Sequence, residues 1–168
     1  MEAKSRRPVL RLSPTSEEIA LAWLSAIVVG LTVFILLNAW VQLPDRVPTH
    51  FGVSGAPDAW GTRSTLLGLP VMSLVMYFVF GLLVRYPWWF NYPWLITQQN
   101  AEAQYRLACG LISWLRLEIV CIFGFITWTQ IRVALNEMAG LQNGPMLAAL
   151  GVVMGTAAVH IILMHRAR

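Results

Sequence analysis

The sequence predicts an all-α integral membrane protein of four transmembrane helices. It also predicts an outward loop rich in proline and glycine and a cytoplasmic amphipathic helix. Three observations carry this. Of 168 residues, 57% are hydrophobic and only 12% are charged. Four apolar runs are each long enough to cross a hydrocarbon core of roughly 30 Å, and a run inside lipid must satisfy its backbone polar groups within itself, as a helix does. Lys and Arg gather at the ends of these runs, so the net charge of +4 reads as membrane orientation and no nucleic-acid partner is expected. Residues 1–168 are read as one domain, with no internal repeat.

Residues 1–15 carry Lys4, Arg6, Arg7 and Arg11 with Pro8 and Pro14, and read as a mobile basic tail on the cytoplasmic side. Ser16 before Glu17 and Glu18 marks a helix start, with acids at the positive end of the helix dipole. The apolar run Ile19–Val41 follows. A secretory signal has an apolar core of about 7–15 residues and a small-residue cleavage site. This run is longer and ends in Asn38-Ala-Trp-Val-Gln-Leu-Pro44, so it reads as a retained first span.

Residues 43–64 form the densest cluster of specialised residues, with three prolines and three glycines between Leu43 and Arg63. Pro44 and Pro48 push Leu43 and Val47 into extended conformations, while Gly52, Gly55 and Gly61 permit turns. A loop this long without regular structure is uncommon unless functional or disordered. Its composition favours an ordered segment folded back over the bundle. Ser64 or Thr65 then caps a second span that runs to about Arg85.

Tyr86-Pro-Trp-Trp-Phe-Asn-Tyr-Pro-Trp94 reads as an interfacial aromatic belt in preference to a ligand-stacking platform. From Thr97 the chain becomes amphipathic. Ala101, Tyr105, Ala108, Ile112 and Leu115 share one face, and Glu102 and Arg106 form an i,i+4 pair opposite. This helix, 97–116, continues without a breaker into a third span from about Leu117 to Leu135, with Arg116 and Glu118 at the junction. Asn136–Gly144 is a turn, and Pro145 opens a fourth span to about Met164. Gly151 and Gly155 form a small-xxx-small step for close helix packing, against either an internal neighbour or a second copy. Cys109 and Cys121 lie twelve residues apart on one helix, cannot pair, and read as buried free thiols.

Lys4, Arg6, Arg7, Arg11, Arg85, Arg106, Arg116, Arg166 and Arg168 fall on one side of the four spans, against Arg46, Arg63 and Arg132 on the other. The bias places both termini in the cytoplasm and residues 43–64 outside. Trp40, Trp60 and Trp128 near the outer boundary, and Trp23, Trp88, Trp89 and Trp114 near the inner one, agree with it.

Among residues that carry chemistry, His50 stands first, near Asp45 and Asp58. An exposed imidazole can bind metal, act as a base, or sense pH near neutrality. A metal site needs three or four ligands, and the loop supplies one imidazole and two carboxylates without tight spacing. His50 and Asp58 are therefore the metal candidates, set against a structural reading in which Asp58 caps a turn and His50 bonds loop backbone. Within the spans, His160 and Arg132 are the ionisable groups that draw a functional reading. Arg132 can snorkel to the interface, and His160 can sit neutral and hydrogen-bonded. No relay of Asp, Glu and His crosses the membrane, which disfavours a proton-coupled pump. The absence of paired broken helices weakens a transporter reading. No cofactor is expected.

Two separated motifs carry a resemblance. Leu43-Pro-Asp-Arg-Val-Pro-Thr-His-Phe with Gly55-Ala-Pro-Asp-Ala-Trp-Gly, then Asn91-Tyr-Pro-Trp-Leu-Ile-Thr97 and Asn100-Ala-Glu-Ala-Gln-Tyr-Arg-Leu107, resemble an uncharacterised bacterial membrane domain. The same domain forms the N-terminal part of SdpI-type immunity proteins. The likeness covers roughly residues 20–135, and it implies Pro44, Pro48, His50, Gly55, Asp58, Asn91, Pro93, Asn100 and Tyr105 as motif positions. Gly52 stands where Asn or Asp is common, and Arg63 where Lys is common. The further C-terminal membrane region of the long immunity proteins has no counterpart here. The resemblance implies a bacterial cytoplasmic membrane and suggests immunity to a secreted peptide, but a shared fold does not fix function.

The leading expectation is a non-enzymatic binding or signalling module, or an immunity-type one. Its 43–64 loop would meet an extracytoplasmic peptide or envelope ligand, and helix 97–116 would report inward. Its partners would be membrane lipids, that ligand and, through Gly151 and Gly155, a second copy. One alternative is a membrane-embedded enzyme or metal-binding protein using His50 and Asp58. The other is a small transporter or channel subunit, which would need oligomers because four helices enclose little space.

Overall fold

The structure is a computed structural model that describes residues 7–168; Lys4 and Arg6 of the basic tail lie outside the described residues. The first helix, α1 (Ser16–Ala39), starts where the acids predict, but its cap is Thr15. Thr15 Oγ1 accepts from the Glu18 amide at 3.2 Å, and the Thr15 amide donates to Glu18 Oε2 at 2.9 Å. This reciprocal box needs Ser or Thr three residues before Glu, a spacing that Thr15 meets and Ser16 does not.

The 43–64 segment has regular structure that the sequence reading did not foresee. Strands β1 (Arg46–Phe51) and β2 (Pro57–Thr62) pair antiparallel, from Arg46 opposite Thr62 to Phe51 opposite Pro57. The register shifts on either side of His50. The prolines do impose extended backbone, and Gly55 at φ +83° lets that backbone reverse into a hairpin. Pro57 opens β2, where a missing N–H costs the ladder least.

A short 3₁₀ turn at Arg63–Leu67 leads into α2 (Gly68–Leu83), and the two together form one apolar helical stretch of 21 residues. After the aromatic segment comes α3 (Ala101–Ala134), 34 residues in one unbroken helix, followed by α4 (Asn143–Arg166). Helix α3 begins four residues later than the pattern predicts, because Thr97 and Asn100 exchange bonds in a preceding turn. The Thr97 amide donates to Asn100 Oδ1 at 2.8 Å, and the Asn100 amide to Thr97 Oγ1 at 3.3 Å.

All four helical stretches are long and apolar enough to cross a membrane. Helices α1, α2 and α4 each pack on α3, which is the axis of the bundle. The middle of the bundle is inside-out relative to a water-soluble fold. Trp23, Ile27, Leu31, Phe34, Phe78 and Met154 face outward, and none of the apolar window of α4 is buried. So continuous an apolar surface needs an apolar solvent, and the architecture is that of a multi-pass membrane protein.

Buried apolar residues concentrate at the two ends. Leu36, Leu43, Val47, Leu66, Ile131 and Ala134 pack at the hairpin end. Tyr92, Ile96, Ala101, Tyr105, Ala108 and Met164 pack at the opposite end. The second cluster corrects the reading of residues 7–15 as a mobile tail. Leu10 and Leu12 pack against the cluster, Tyr105 Oη donates to the Pro8 carbonyl at 2.9 Å, and the Arg7 guanidinium lies 5.7 Å from the Tyr92 ring centre. The segment is held because the aromatic cluster presents apolar surface that two leucines can cover. The same packing shows that the apolar face of residues 101–108 meets protein.

Two smaller expectations also change. Cys109 is buried, its thiol 3.4 Å from the Val84 carbonyl, but Cys121 is exposed on the outside of α3. Gly151 and Gly155 face away from the bundle, with no atom within 4 Å of where a Cβ would stand, so they serve no internal helix contact. In α4 the helix period turns Met164 inward and leaves these glycines outside.

Candidate functional site

The hairpin is fastened to the bundle at its base. Val47 and Pro48 are fully buried, and Val47 sits among Leu36, Leu66 and Ile131. Gln130, buried on α3, donates from Nε2 to the Pro48 carbonyl at 3.2 Å. The Arg63 amide donates to the Asp45 carbonyl at 3.0 Å and closes the base of the two strands. The Arg63 guanidinium stands 5.4 Å from the Trp40 ring centre, which orients a cation beside the apolar end of α1.

The tip is fastened too, by the connection between α3 and α4. The Leu141 amide donates to the Gly55 carbonyl at 2.8 Å, and Asn143 Nδ2 donates to the Val53 carbonyl at 2.9 Å. A side chain at Gly55 would collide with the Leu141 carbonyl, so both the positive φ and the close approach require glycine there. Beside this contact lies an open hollow of about 500 Å³, lined by Ser54, Ala56, Met138, Ala139 and Gln142. A strand pair that would be marginal alone is thus braced at both ends.

On this platform His50 Nδ1 and Asp58 Oδ1 stand 2.6 Å apart, with side chains 69% and 52% exposed. This replaces the structural reading in which His50 bonds backbone and Asp58 caps a turn. The register brings His50 opposite Ala59, next to Asp58, so the two side chains meet across the strands. An ionised carboxylate only accepts, so Nδ1 carries the hydrogen and the lone pair of neutral His50 resides on Nε2. Among the described residues Nε2 has no hydrogen-bond partner. A side chain at Gly52 would start 3.1 Å from Asp58 Oδ2, and glycine leaves that oxygen open. Asp45 is not part of the pair. No group of three or more His, Cys, Asp or Glu suited to a metal ion occurs among the described residues.

The remaining motif positions lie elsewhere. Pro44 is exposed before β1. Asn91 and Pro93 are exposed on either side of Tyr92, whose hydroxyl donates to the Pro87 carbonyl at 3.1 Å. Burial pushes the Tyr92 phenol above its ordinary range. Asn100 braces the turn before α3, and its Nδ2 also donates to the Leu95 carbonyl at 3.1 Å. Tyr105 is fully buried against residues 8–12. From Tyr105 to Gln130 along α3 is roughly 38 Å at 1.5 Å per residue. The two motif groups are therefore two sites at opposite ends of one helix.

Sequence reasoning missed the contacts of three polar residues on α3. Gln104, fully buried, accepts from Trp94 Nε1 at 2.8 Å and donates to the Met164 carbonyl at 2.7 Å, joining three segments. Glu118 accepts from Thr156 Oγ1 at 2.6 Å, and the Thr156 carbonyl lies 2.9 Å from His160 Nδ1. Arg116 is buried beneath the Tyr77 ring. The available signal was helical phase: Gln104, Glu118 and Arg116 sit in α3 at positions that an axial helix must turn inward.

Comparison with known proteins centres on the same segment. Residues 26–74, from mid-α1 through the hairpin into α2, match a family described as a domain of unknown function (DUF1648). An uncharacterised protein from Archaeoglobus fulgidus is 38% identical over 82 residues, covering 44% of this chain and 45% of that relative. The chain thus aligns with less than half of that protein. No solved structure matches. Over residues 26–74 the chain is similar to a domain of unknown function, and with an archaeal relative the similarity does not tie it to bacteria.

Proposed function

We propose that the protein is a non-enzymatic binding module of the cytoplasmic membrane whose hairpin, residues 46–62, recognises an extracytoplasmic ligand. The carrying observation is the exposed His50–Asp58 pair, set at 2.6 Å on a hairpin braced at its base and its tip. An imidazole oriented by a carboxylate presents a fixed acceptor at little ordering cost on binding. The open hollow beside Ser54 offers adjoining room for a peptide. The excess of Lys and Arg at the opposite end supports an outward hairpin with both termini in the cytoplasm. The resemblance to SdpI-type immunity proteins supports a secreted peptide as the ligand class.

The test begins with topology. A single cysteine at Ser54, in a Cys109→Ser, Cys121→Ser background, is labelled in intact cells with a membrane-impermeant thiol reagent. Labelling before lysis is expected; labelling only after lysis overturns the reading. His50→Ala and Asp58→Asn should then abolish the protein's response with membrane accumulation unchanged. Loss of accumulation alone would make the pair structural.

A second reading is favoured by the free Nε2 of His50. With Asp58 behind it, the ring has the arrangement of a metal ligand with its carboxylate partner, or of a general base. Metal content of the purified protein separates this from simple recognition. It fails if no metal is retained and His50→Ala changes nothing.

A further inference from the structure

At the end of the bundle opposite the hairpin, a cleft of about 620 Å³ opens between α1, α2 and α3. Arg116 forms its inner wall and Arg85 and Glu18 its rim, while Trp23, Phe78 and Leu82 line the open side. Arg116 is 5% exposed, its guanidinium carbon is 5.5 Å from the Tyr77 ring centre, and its Nε has no hydrogen-bond partner among the described residues. Among the described residues no carboxylate lies within 4 Å of it. Glu18, the acid of the cleft, is held in the α1 capping box by the Thr15 amide. A neighbouring hollow of about 290 Å³ shares Glu18, Gly81 and Arg85 and extends to Arg106, whose charge is met by Glu102 at 3.1 Å.

A guanidinium does not give up its proton. Arg116 therefore carries a fixed, buried charge that no described carboxylate contacts, with Glu18 the acid of the same cleft, an arrangement that is costly until an anion fills it. The planar fork is already oriented by Tyr77, and Nη1 lies beside Gly81 on the cleft wall, where a Cβ would stand 3.6 Å from it. Trp23, Phe78 and Leu82 are 69%, 63% and 54% exposed, so whatever enters beside them meets apolar surface. The site thus asks for an anionic head joined to an apolar tail. Juxtamembrane arginines of this kind meet anionic headgroups in the cytoplasmic leaflet.

We propose that this cleft binds an acidic phospholipid, with its phosphate on Arg116 and Arg85 and an acyl chain along Trp23, Phe78 and Leu82. The inference does not rest on the hairpin being a recognition element. Arg116 is the positioning charge, and Arg85 at the rim supplies the second contact.

Full-length protein purified in mild detergent, with phosphatidylglycerol, phosphatidylcholine or inorganic phosphate added separately, tests this by native mass spectrometry and by thermal shift. Phosphatidylglycerol should be retained and stabilising, roughly tenfold or more in preference to phosphatidylcholine, as expected for a desolvated charge pair. Arg116→Gln should remove that preference. Gly81→Leu, which keeps Arg116 but fills the space before Nη1, should remove it too and decides the question if Arg116→Gln fails to fold. Equal retention of the two lipids, or a preference unchanged in both variants, overturns the proposal. An equal shift with inorganic phosphate alone would assign the site to a free anion and overturn the lipid.

Discussion

Gly55→Ala tests whether the hairpin is a braced platform. At φ +83° an L-residue is disfavoured, and the left-handed conformation costs alanine about 1–2 kcal/mol. The new Cβ would also collide with the Leu141 carbonyl, so the tip must lift and the bond from the Leu141 amide to the Gly55 carbonyl breaks. A net hydrogen bond of this kind contributes about 0.5–1.5 kcal/mol. The two effects together come to about 1.5–3.5 kcal/mol, a roughly 10- to 300-fold rise in the open population. Amide hydrogen exchange on the protein in nanodiscs reads this directly. The Leu141 and Gly52 amides should exchange faster by up to that factor. Amides near Gln130 on α3, which hold the hairpin base, should be unchanged. If exchange at the tip does not move, the docking of hairpin on the α3–α4 connection is not what orders it. If α1 and α3 speed up equally, the tip is part of the global fold and no separate platform exists.

Gln104→Ala removes two side-chain bonds at a fully buried position and leaves the Trp94 indole and the Met164 carbonyl without partners. A stability loss of about 2–4 kcal/mol is expected, read as a lower denaturation midpoint, with the end of α4 fraying first in hydrogen exchange. Glu118→Gln retains an acceptor for Thr156 and removes the formal charge, so thermal stability should hold or rise. Glu118→Ala strips Thr156 of its partner and should cost about 1–3 kcal/mol in the same melt. Equal losses in the two variants would show that the carboxylate charge itself is needed.

The helices were legible because lipid imposes a length and a composition on each span, and residues such as Glu17, Glu18, Pro87 and Pro145 mark the ends. The hairpin was half legible. Pro44 and Pro48 announce extended backbone, but pairing depends on Gly55 reaching Leu141, a contact 86 residues away in sequence. The sequence names His50 and Asp58 together as candidates, but that they touch each other follows from a register irregularity that no local pattern encodes. The basic tail misled because charge and proline mask Leu10 and Leu12, whose burial needs a surface built by Tyr92 and Tyr105. Position along the chain puts Arg116 at the polar junction before the third span. Its true environment depends on which way α3 faces when three other helices pack on it.

That axial role bears on how an event at the hairpin would be felt elsewhere. Gln130 near one end of α3 holds Pro48, and Tyr105 near the other holds Pro8, with no proline or break between them. A helix without a hinge does not pass on a local bend. It can only tilt, rotate or slide as a body, and those motions are taken up where packing is weakest. Helix α4 is the shallowest partner, joined to α3 through Gln104 and through Glu118 with Thr156. Any displacement of α3 would therefore strain those polar contacts, and the pair at Glu118 and Thr156 lies outside both apolar clusters. A coupling between hairpin and the opposite end accordingly has a physical carrier only if the α3–α4 contacts have two arrangements, which makes Glu118 and Thr156 the residues to perturb in looking for one.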